Sequence, residues 1–217
     1  VRNYLSFLIG GVVVGPLVAG VVGMFVLSAA GADVIVTIGG ASVGDHDLIG
    51  RVVAGMGVDQ SFYKVRMRPG KPLMAGRLGG SVLLGLPGNP VSATVCAILF
   101  LQPLIRRMQG QAEAGAPLRH GVLGRSLPPE GDRQHYLRAR LGDGEGGVVV
   151  EPFEDQDSAR LKLMAEADAL LVRPAGDPAR EIGATAAELL FETLAAPEKP
   201  PRQVRFRPEL VVRASTA

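Results

Sequence analysis

The chain has 217 residues, of which 47% are hydrophobic and 20% charged, with a formal net charge of +2. That length holds one full core, or one core plus a smaller module. So small a net charge, with no basic patch interleaved with aromatics, argues against nucleic acid as a partner. The single cysteine, Cys96, excludes an internal disulfide framework and a cysteine-rich metal site. Its apolar setting at residues 93–98 reads as a buried, inert thiol.

The sequence opens on Val1, as a fragment or a processed product does. Residues 5–30 carry no charge, and a bilayer span needs roughly 20 apolar residues. Against a span stand Gly10, Gly11, Gly15, Pro16, Gly20 and Gly23, with only Arg2 flanking the stretch. Buried helix and strand is the expectation, and a membrane segment is disfavoured. An aberrant stretch is a third reading, so residues 1–28 are set apart as atypical.

Residues 33–38 form a short apolar run ending at Gly39, read as a buried parallel strand. Leu48, Ile49, Val52 and Val53 give residues 47–54 helical spacing. Residues 61–67 alternate as one strand. Residues 73–78 and 81–86 read as a hairpin around Gly79-Gly80. Residues 90–108 are the longest predicted helix, with Asn89 as N-cap, Pro90 in the first turn, and Arg106 and Arg107 near the end. Residues 110–117 are small and flexible, a linker. Beyond them residues 118–127, 135–141 and 148–151 are β-rich, 158–166 a short helix, and 169–173 and 186–194 further strands. The expected organisation is an α/β domain over residues 1–110, a small mostly-β module over 117–195, and a loose tail over 196–217.

Glycine-punctuated loops break this pattern where an α/β protein sets backbone N–H groups against an anion. The first is Gly39-Gly40-Ala41-Ser42-Val43-Gly44-Asp45-His46-Asp47. Its glycines allow a sharp turn and close approach to a ligand, and Ser42 adds a hydroxyl. Of Asp45 and Asp47, two apart, one either caps the following helix or holds Mg²⁺ or a substrate group through hard oxygen ligands, Asp47 being favoured over Asp45. The segment is not a Walker A loop, because Lys-Ser/Thr does not follow Gly44. In Arg68-Pro69-Gly70-Lys71-Pro72, two prolines stiffen a turn carrying two cations, either a solvated turn or an oxyanion clamp. In Gly85-Leu86-Pro87-Gly88-Asn89-Pro90-Val91-Ser92, Asn89 either caps alone or joins Gly88 and Ser92 in a phosphate seat.

In the second module Arg133 and Arg138 bracket Gln134-His135-Tyr136-Leu137, and Asp157-Ser158 opens the short helix. Taken singly, Arg133 and Ser158 read as surface residues. His46, His120 and His135 lack zinc-ligand spacing, and no Ser-His-Asp or Cys-His arrangement stands out.

Taken together in this order, the loop at residues 39–47, Met67-Arg68-Pro69-Gly70-Lys71-Pro72, residues 85–92, and residues 133–140 followed by Gln156-Asp157-Ser158 resemble the molybdopterin molybdenumtransferase family, related to the gephyrin E domain. The resemblance runs from about Ala29 to Leu194. It implies a three-layer α/β molybdopterin-binding domain followed by a small barrel-like β module. It implies a cytoplasmic transferase that inserts molybdate into adenylylated molybdopterin and releases AMP, with Mg²⁺ present, as a homodimer acting on small molecules. By the same resemblance Arg68, Lys71, Pro72, Arg133 and Ser158 surround molybdate. Gly39, Gly40, Ser42, Gly44, Gly88, Asn89 and Ser92 line the pterin-side substrate. Asp47 serves Mg²⁺, and with Lys71 forms the catalytic pair. The chain departs from the family by lacking the domain that normally precedes, by lacking an acidic residue upstream of Gly39-Gly40, and by having Arg68 where lysine is usual. An incomplete site is therefore expected. An adenylyltransferase-like binding domain, or an inactive membrane-tethered fragment, are the alternatives.

Overall fold

The computed structural model describes residues 6–9, 31–39, 55–145 and 147–191. The first sheet has the order β1-β2-β6-β5-β3. Its members are β1 (Ser6–Ile9), β2 (Val34–Ile38), β3 (Asp59–Tyr63), β5 (Met74–Leu78) and β6 (Ser81–Leu86). β1, β2 and β6 run parallel, while β5 and β3 add antiparallel, so the sheet is mixed. Alternation along the strands gives the sheet two apolar faces. Val34, Val36, Leu84 and Leu86 enter one cluster, and Ile35 and Leu83 another. A sheet buried on both faces is what a layered α/β domain requires.

The chain then runs through α1 (Pro90–Cys96), a π-helical turn (Ala97–Leu101) and α2 (Gln102–Met108). The predicted boundaries hold. Asn89 caps, Pro90 occupies the first turn, Arg106 and Arg107 sit in the last, and Gly110 follows with φ 82°. Val91, Val95, Cys96 and Ile98 pack in the same cluster as Val34 and Leu84 on one side, and Met164, Leu170 and Val172 on the other. This helical stretch thus lies between the first sheet and the β module, and one core joins them.

The second sheet contains β4 (Met67–Arg68), β7 (Leu118–Leu123), β8 (Gln134–Gly144), β9 (Gly147–Pro152), β10 (Ala169–Arg173) and β11 (Thr185–Phe191). Its order is β10-β11-β7-β9-β8-β4, and β10 also pairs with β8, which closes β8, β10, β11, β7 and β9 into a ring. Leu123, Leu127, Leu137, Ala139, Val150, Ala169 and Leu171 form its interior cluster. The α/β fold with a barrel-like β module agrees with expectation.

Two elements differ from the sequence reading. Residues 61–67 do not form one strand. Lys64 takes φ 72°, which breaks the run, and the halves join different sheets. The short helix α3 spans Leu161–Ala165 and begins later than residue 158, because residues 155–160 are held in a hydrogen-bonded turn. The predicted helix at 47–54, the tail at 196–217 and most of the apolar stretch at 5–30 lie outside the described residues.

Candidate functional site

Gly39 ends β2 with φ 83°, and its N–H donates to Leu86 O at 3.0 Å. A Cβ on Gly39 would stand 3.6 Å from Gly88 Cα, and one on Gly88 would stand 3.3 Å from Gly39 Cα. The first and third loops therefore meet backbone to backbone, with ordinary room for a Cβ at Gly39 but a tight fit at Gly88; it is the positive φ of Gly39 that favours glycine there. Gly40, Ser42, Gly44 and Asp47 lie outside the described residues.

At the start of α1, Asn89 Oδ1 accepts from Ser92 N–H at 3.1 Å, and Ala93 N–H donates to Asn89 O at 2.8 Å. The Asn89 side chain thus caps the helix. Ser92 is buried.

The other end of α1 supports the cationic loop. Gly70 is buried with φ 108°, and a Cβ there would come within 2.6 Å of Cys96 Sγ and 3.0 Å of Met67 Cε. Cys96 Sγ lies 3.7 Å from Gly70 O, as a weak donor. Burial pushes its thiol up to about 12, so it packs and does not attack. Lys71 O accepts from the N–H groups of Val65 and Leu73, each at 3.0 Å. The loop backbone, which includes a cis Arg68–Pro69 bond, is fastened while the side chains of Arg68 and Lys71 stay exposed and Pro72 is half-buried.

Arg133 reaches this loop through strand pairing. Gln134 N–H donates to Arg66 O at 3.0 Å, and β4 pairs parallel with β8, Met67 opposite Gln134 and Arg68 opposite His135. The half-buried Arg133 is therefore carried beside the cationic loop by a two-residue strand. Among the described residues, Arg68, Lys71 and Arg133 pair with no carboxylate. Their neighbours do: Arg66 with Asp132, Arg140 with Glu166, Arg160 with Asp155.

Next to Arg68 the buried His135 holds Glu130 Oε1 at 3.1 Å through Nδ1. Burial lowers its pKa, Glu130 opposes that, and Arg68 and Arg173 reinforce it. Arg173, opposite His135 in β10, donates to Asp177, Pro128 O and Pro178 O.

Ser158, half-buried, lies in a turn fixed by Asp155, Gln156 and Asp157. Sequence reasoning gave no role to Arg138, Gln156 or His135, and it read Cys96 as a buried, inert thiol, which the structure bears out. For Arg138 the signal in the sequence was weak: a charged residue inside an apolar strand. Among the described residues no group of His, Cys, Asp and Glu is placed to hold a metal ion. Asp47, the expected Mg²⁺ ligand, falls outside them.

Comparison with known proteins places this geometry. Residues 17–107 match the probable molybdopterin binding domain, and residues 120–191 match the MoeA C-terminal region, domain IV. A molybdopterin molybdenumtransferase of Bacillus subtilis is 30% identical over 159 residues, covering 73% of this chain and 37% of that protein. Molybdopterin molybdenumtransferase 2 of Mycobacterium tuberculosis is 38% identical over 152 residues, covering 67% and 37%. Among solved structures, a molybdopterin biosynthesis MoeA protein from Pyrococcus horikosii superposes with a TM-score of 0.63 at 23% identity, over 78% of this chain and 40% of that one. A molybdenum cofactor biosynthesis protein from Pyrococcus furiosus superposes at 0.60 and 17% identity, over 79% and 54%.

The two matched regions in this order define an α/β molybdopterin-binding domain with an attached β module. Over those residues the chain belongs to the molybdopterin molybdenumtransferase (MoeA) family, a family of molybdenum cofactor biosynthesis. It spans between a third and two fifths of the length of these curated relatives.

Proposed function

We propose that this chain carries the molybdate-binding and pterin-binding elements of a molybdopterin molybdenumtransferase, which inserts molybdate into adenylylated molybdopterin and releases AMP. The observation that carries the reading is the trio Arg68, Lys71 and Arg133. They are cations with no carboxylate partner among the described residues, on backbone fastened by Cys96, Val65 and the β4–β8 pairing. A small dianion is bound by converging charge-assisted donors, so such a trio suits molybdate better than a neutral ligand. Arg68 and Arg133 offer planar forks and Lys71 a point charge. Pro72 restrains the chain after Lys71, and Ser158 offers a hydroxyl.

On the pterin side, Gly39, Gly40, Gly44 and Gly88 let backbone approach the substrate, while Ser42, Asn89 and Ser92 line it. Asp47, as hard-oxygen ligand, would hold Mg²⁺, which when bound neutralises charge on the pyrophosphate. Lys71 and Asp47 form the catalytic pair in this reading. The protein acts in the cytoplasm as a homodimer, with residues from outside this chain completing the cleft.

A second reading, an adenylyltransferase-like binding domain, shares the glycine loop. The match of residues 120–191 to the MoeA C-terminal region favours the first. The test is molybdate-dependent AMP release from adenylylated molybdopterin by the 217-residue chain with Mg²⁺. Release supports the full transferase reading. Binding of the pterin substrate without release assigns the chain the binding elements only. Binding of neither molybdate nor pterin overturns the proposal.

A further inference from the structure

Arg138 is 2% exposed, yet it is a full cation inside the β module. A buried guanidinium is costly unless each part of its fork is hydrogen-bonded. Here the partners are mostly loop carbonyls. Nη1 donates to Asp157 O at 3.0 Å and to Arg160 O at 3.3 Å, and Nε donates to Gln156 Oε1 at 3.2 Å. Those two carbonyls stand on either side of Ser158-Ala159, so one guanidinium grips the chain before and after Ser158.

Gln156 completes the clamp. Its Oε1 also accepts from Arg138 N–H at 3.0 Å, and its Nε2 donates to Arg138 O at 3.0 Å and Phe153 O at 2.9 Å. Both acceptor positions and both donors of the amide are occupied. The carboxylates in the turn are occupied as well: Asp155 Oδ1 accepts from Asp157 N–H, and Asp157 Oδ1 from Ala159 N–H. Among the described residues, the Ser158 hydroxyl makes no hydrogen bond to protein, and the half-buried side chain keeps it open to solvent or to a ligand. Arg138 belongs to β8, the strand that begins beside Arg133 and pairs with Arg68.

We infer that Arg138 and Gln156 are positioning residues which hold Ser158 in register with Arg133 for anion binding. The inference rests on the molybdate reading above. Arg138 never touches the anion, and its effect passes through Ser158. Lysine keeps the charge but cannot span both carbonyls and Gln156.

The experiment measures molybdate and pterin-substrate affinities of the 217-residue chain by calorimetry, for the parent, Ser158→Ala, Arg138→Lys, Gln156→Leu and the two doubles with Ser158→Ala. Arg138→Lys and Gln156→Leu should each weaken molybdate about tenfold, with pterin-substrate affinity held within about twofold. In the Ser158→Ala background neither should weaken molybdate further, which a purely structural role would not produce. If Arg138→Lys does not fold, Gln156→Leu carries the same comparison. Full additivity with Ser158→Ala, equal loss for both ligands, or no loss overturns the inference while leaving the functional reading in place. A parent chain that binds no molybdate overturns the functional reading, and the inference with it.

Discussion

Arg68 stands directly opposite His135 across the parallel pairing of β4 with β8. That contact joins the cationic loop of the α/β domain to the strand that begins just after Arg133. Backbone pairing therefore brings the segments that carry Arg68, Lys71 and Arg133 next to one another. Lys71→Ala removes one converging charge without touching the backbone bonds made by Lys71 O. We expect molybdate affinity to fall about tenfold, the scale of one charge-assisted hydrogen bond. Arg107→Ala, an exposed change elsewhere, should leave it unaltered. Equal molybdate titrations for parent and Lys71→Ala would place the anion elsewhere.

Gly70 and Cys96 form the second joint. Alanine at position 70 would face Cys96 Sγ at 2.6 Å while holding φ 108°. Overpacking and a disfavoured backbone together should cost about 3 kcal/mol, read as a lower urea midpoint. Adding Cys96→Ala should recover the clash with sulfur and leave the backbone part and the contact with Met67 Cε at 3.0 Å. A double variant no more stable than Gly70→Ala would show that the contact with sulfur is not the cause.

Much of this was legible in the sequence, and the misses have a common physical origin. The hairpin around Gly79-Gly80, the Asn89 cap and the run at 169–173 are local, and local patterns carried them. Residues 61–67 alternate as one strand, but β4 is held by β8, whose pairing partner lies far along the chain. Period alone cannot show that the run splits at Lys64 between two sheets. The loop carrying Arg68 and Lys71 stood out because glycine and proline mark it, while Arg133 and Ser158 read singly as surface residues and were named only through the resemblance. Arg138 and Gln156 fell inside the quoted segments without a role of their own, because their work is long-range. A buried arginine on a strand looks like any strand arginine until the turn it grips is known.

Asp177 gathers Arg173 and Arg180 beneath the β module, with its side chain 4% exposed. Burial alone would raise its carboxyl, but hydrogen bonds and charge from Arg180 and Arg173 outweigh that and hold it below the ordinary value of 3.8. Its contribution to stability is therefore complete above that value and lost as pH falls through the folded one. Asp177→Asn leaves the buried Arg173 with only Glu130, 4.0 Å away, as counter-ion among the described residues, at a cost of about 3 kcal/mol. Chemical denaturation at pH 7 should show that loss, and the gap between variant and parent should narrow as pH falls below 3.8 towards the folded value. A constant gap across the acid range would show that charge is not the cause.

His135 sets a second pH limb with the opposite group type. Its folded pKa is lowered, first by burial, with Arg68 and Arg173 adding to the effect and Glu130 opposing it. The unfolded chain then binds the proton more readily, at about 6.5. Stability should be full above that pH, fall as pH drops towards the folded value, and level off below it. His135→Gln keeps a polar group facing Glu130 but cannot titrate, so this limb should disappear from a urea-midpoint profile between about pH 7 and pH 5. Because Arg68 lies opposite His135, protonation also adds a positive charge beside the cationic loop. Molybdate affinity of the parent should therefore rise slightly only where the folded protein takes up that proton, as pH falls through its lowered value, and that of His135→Gln should stay flat. A parent stability that climbs on acidification through this range would reverse the assignment of His135 as neutral in the folded protein.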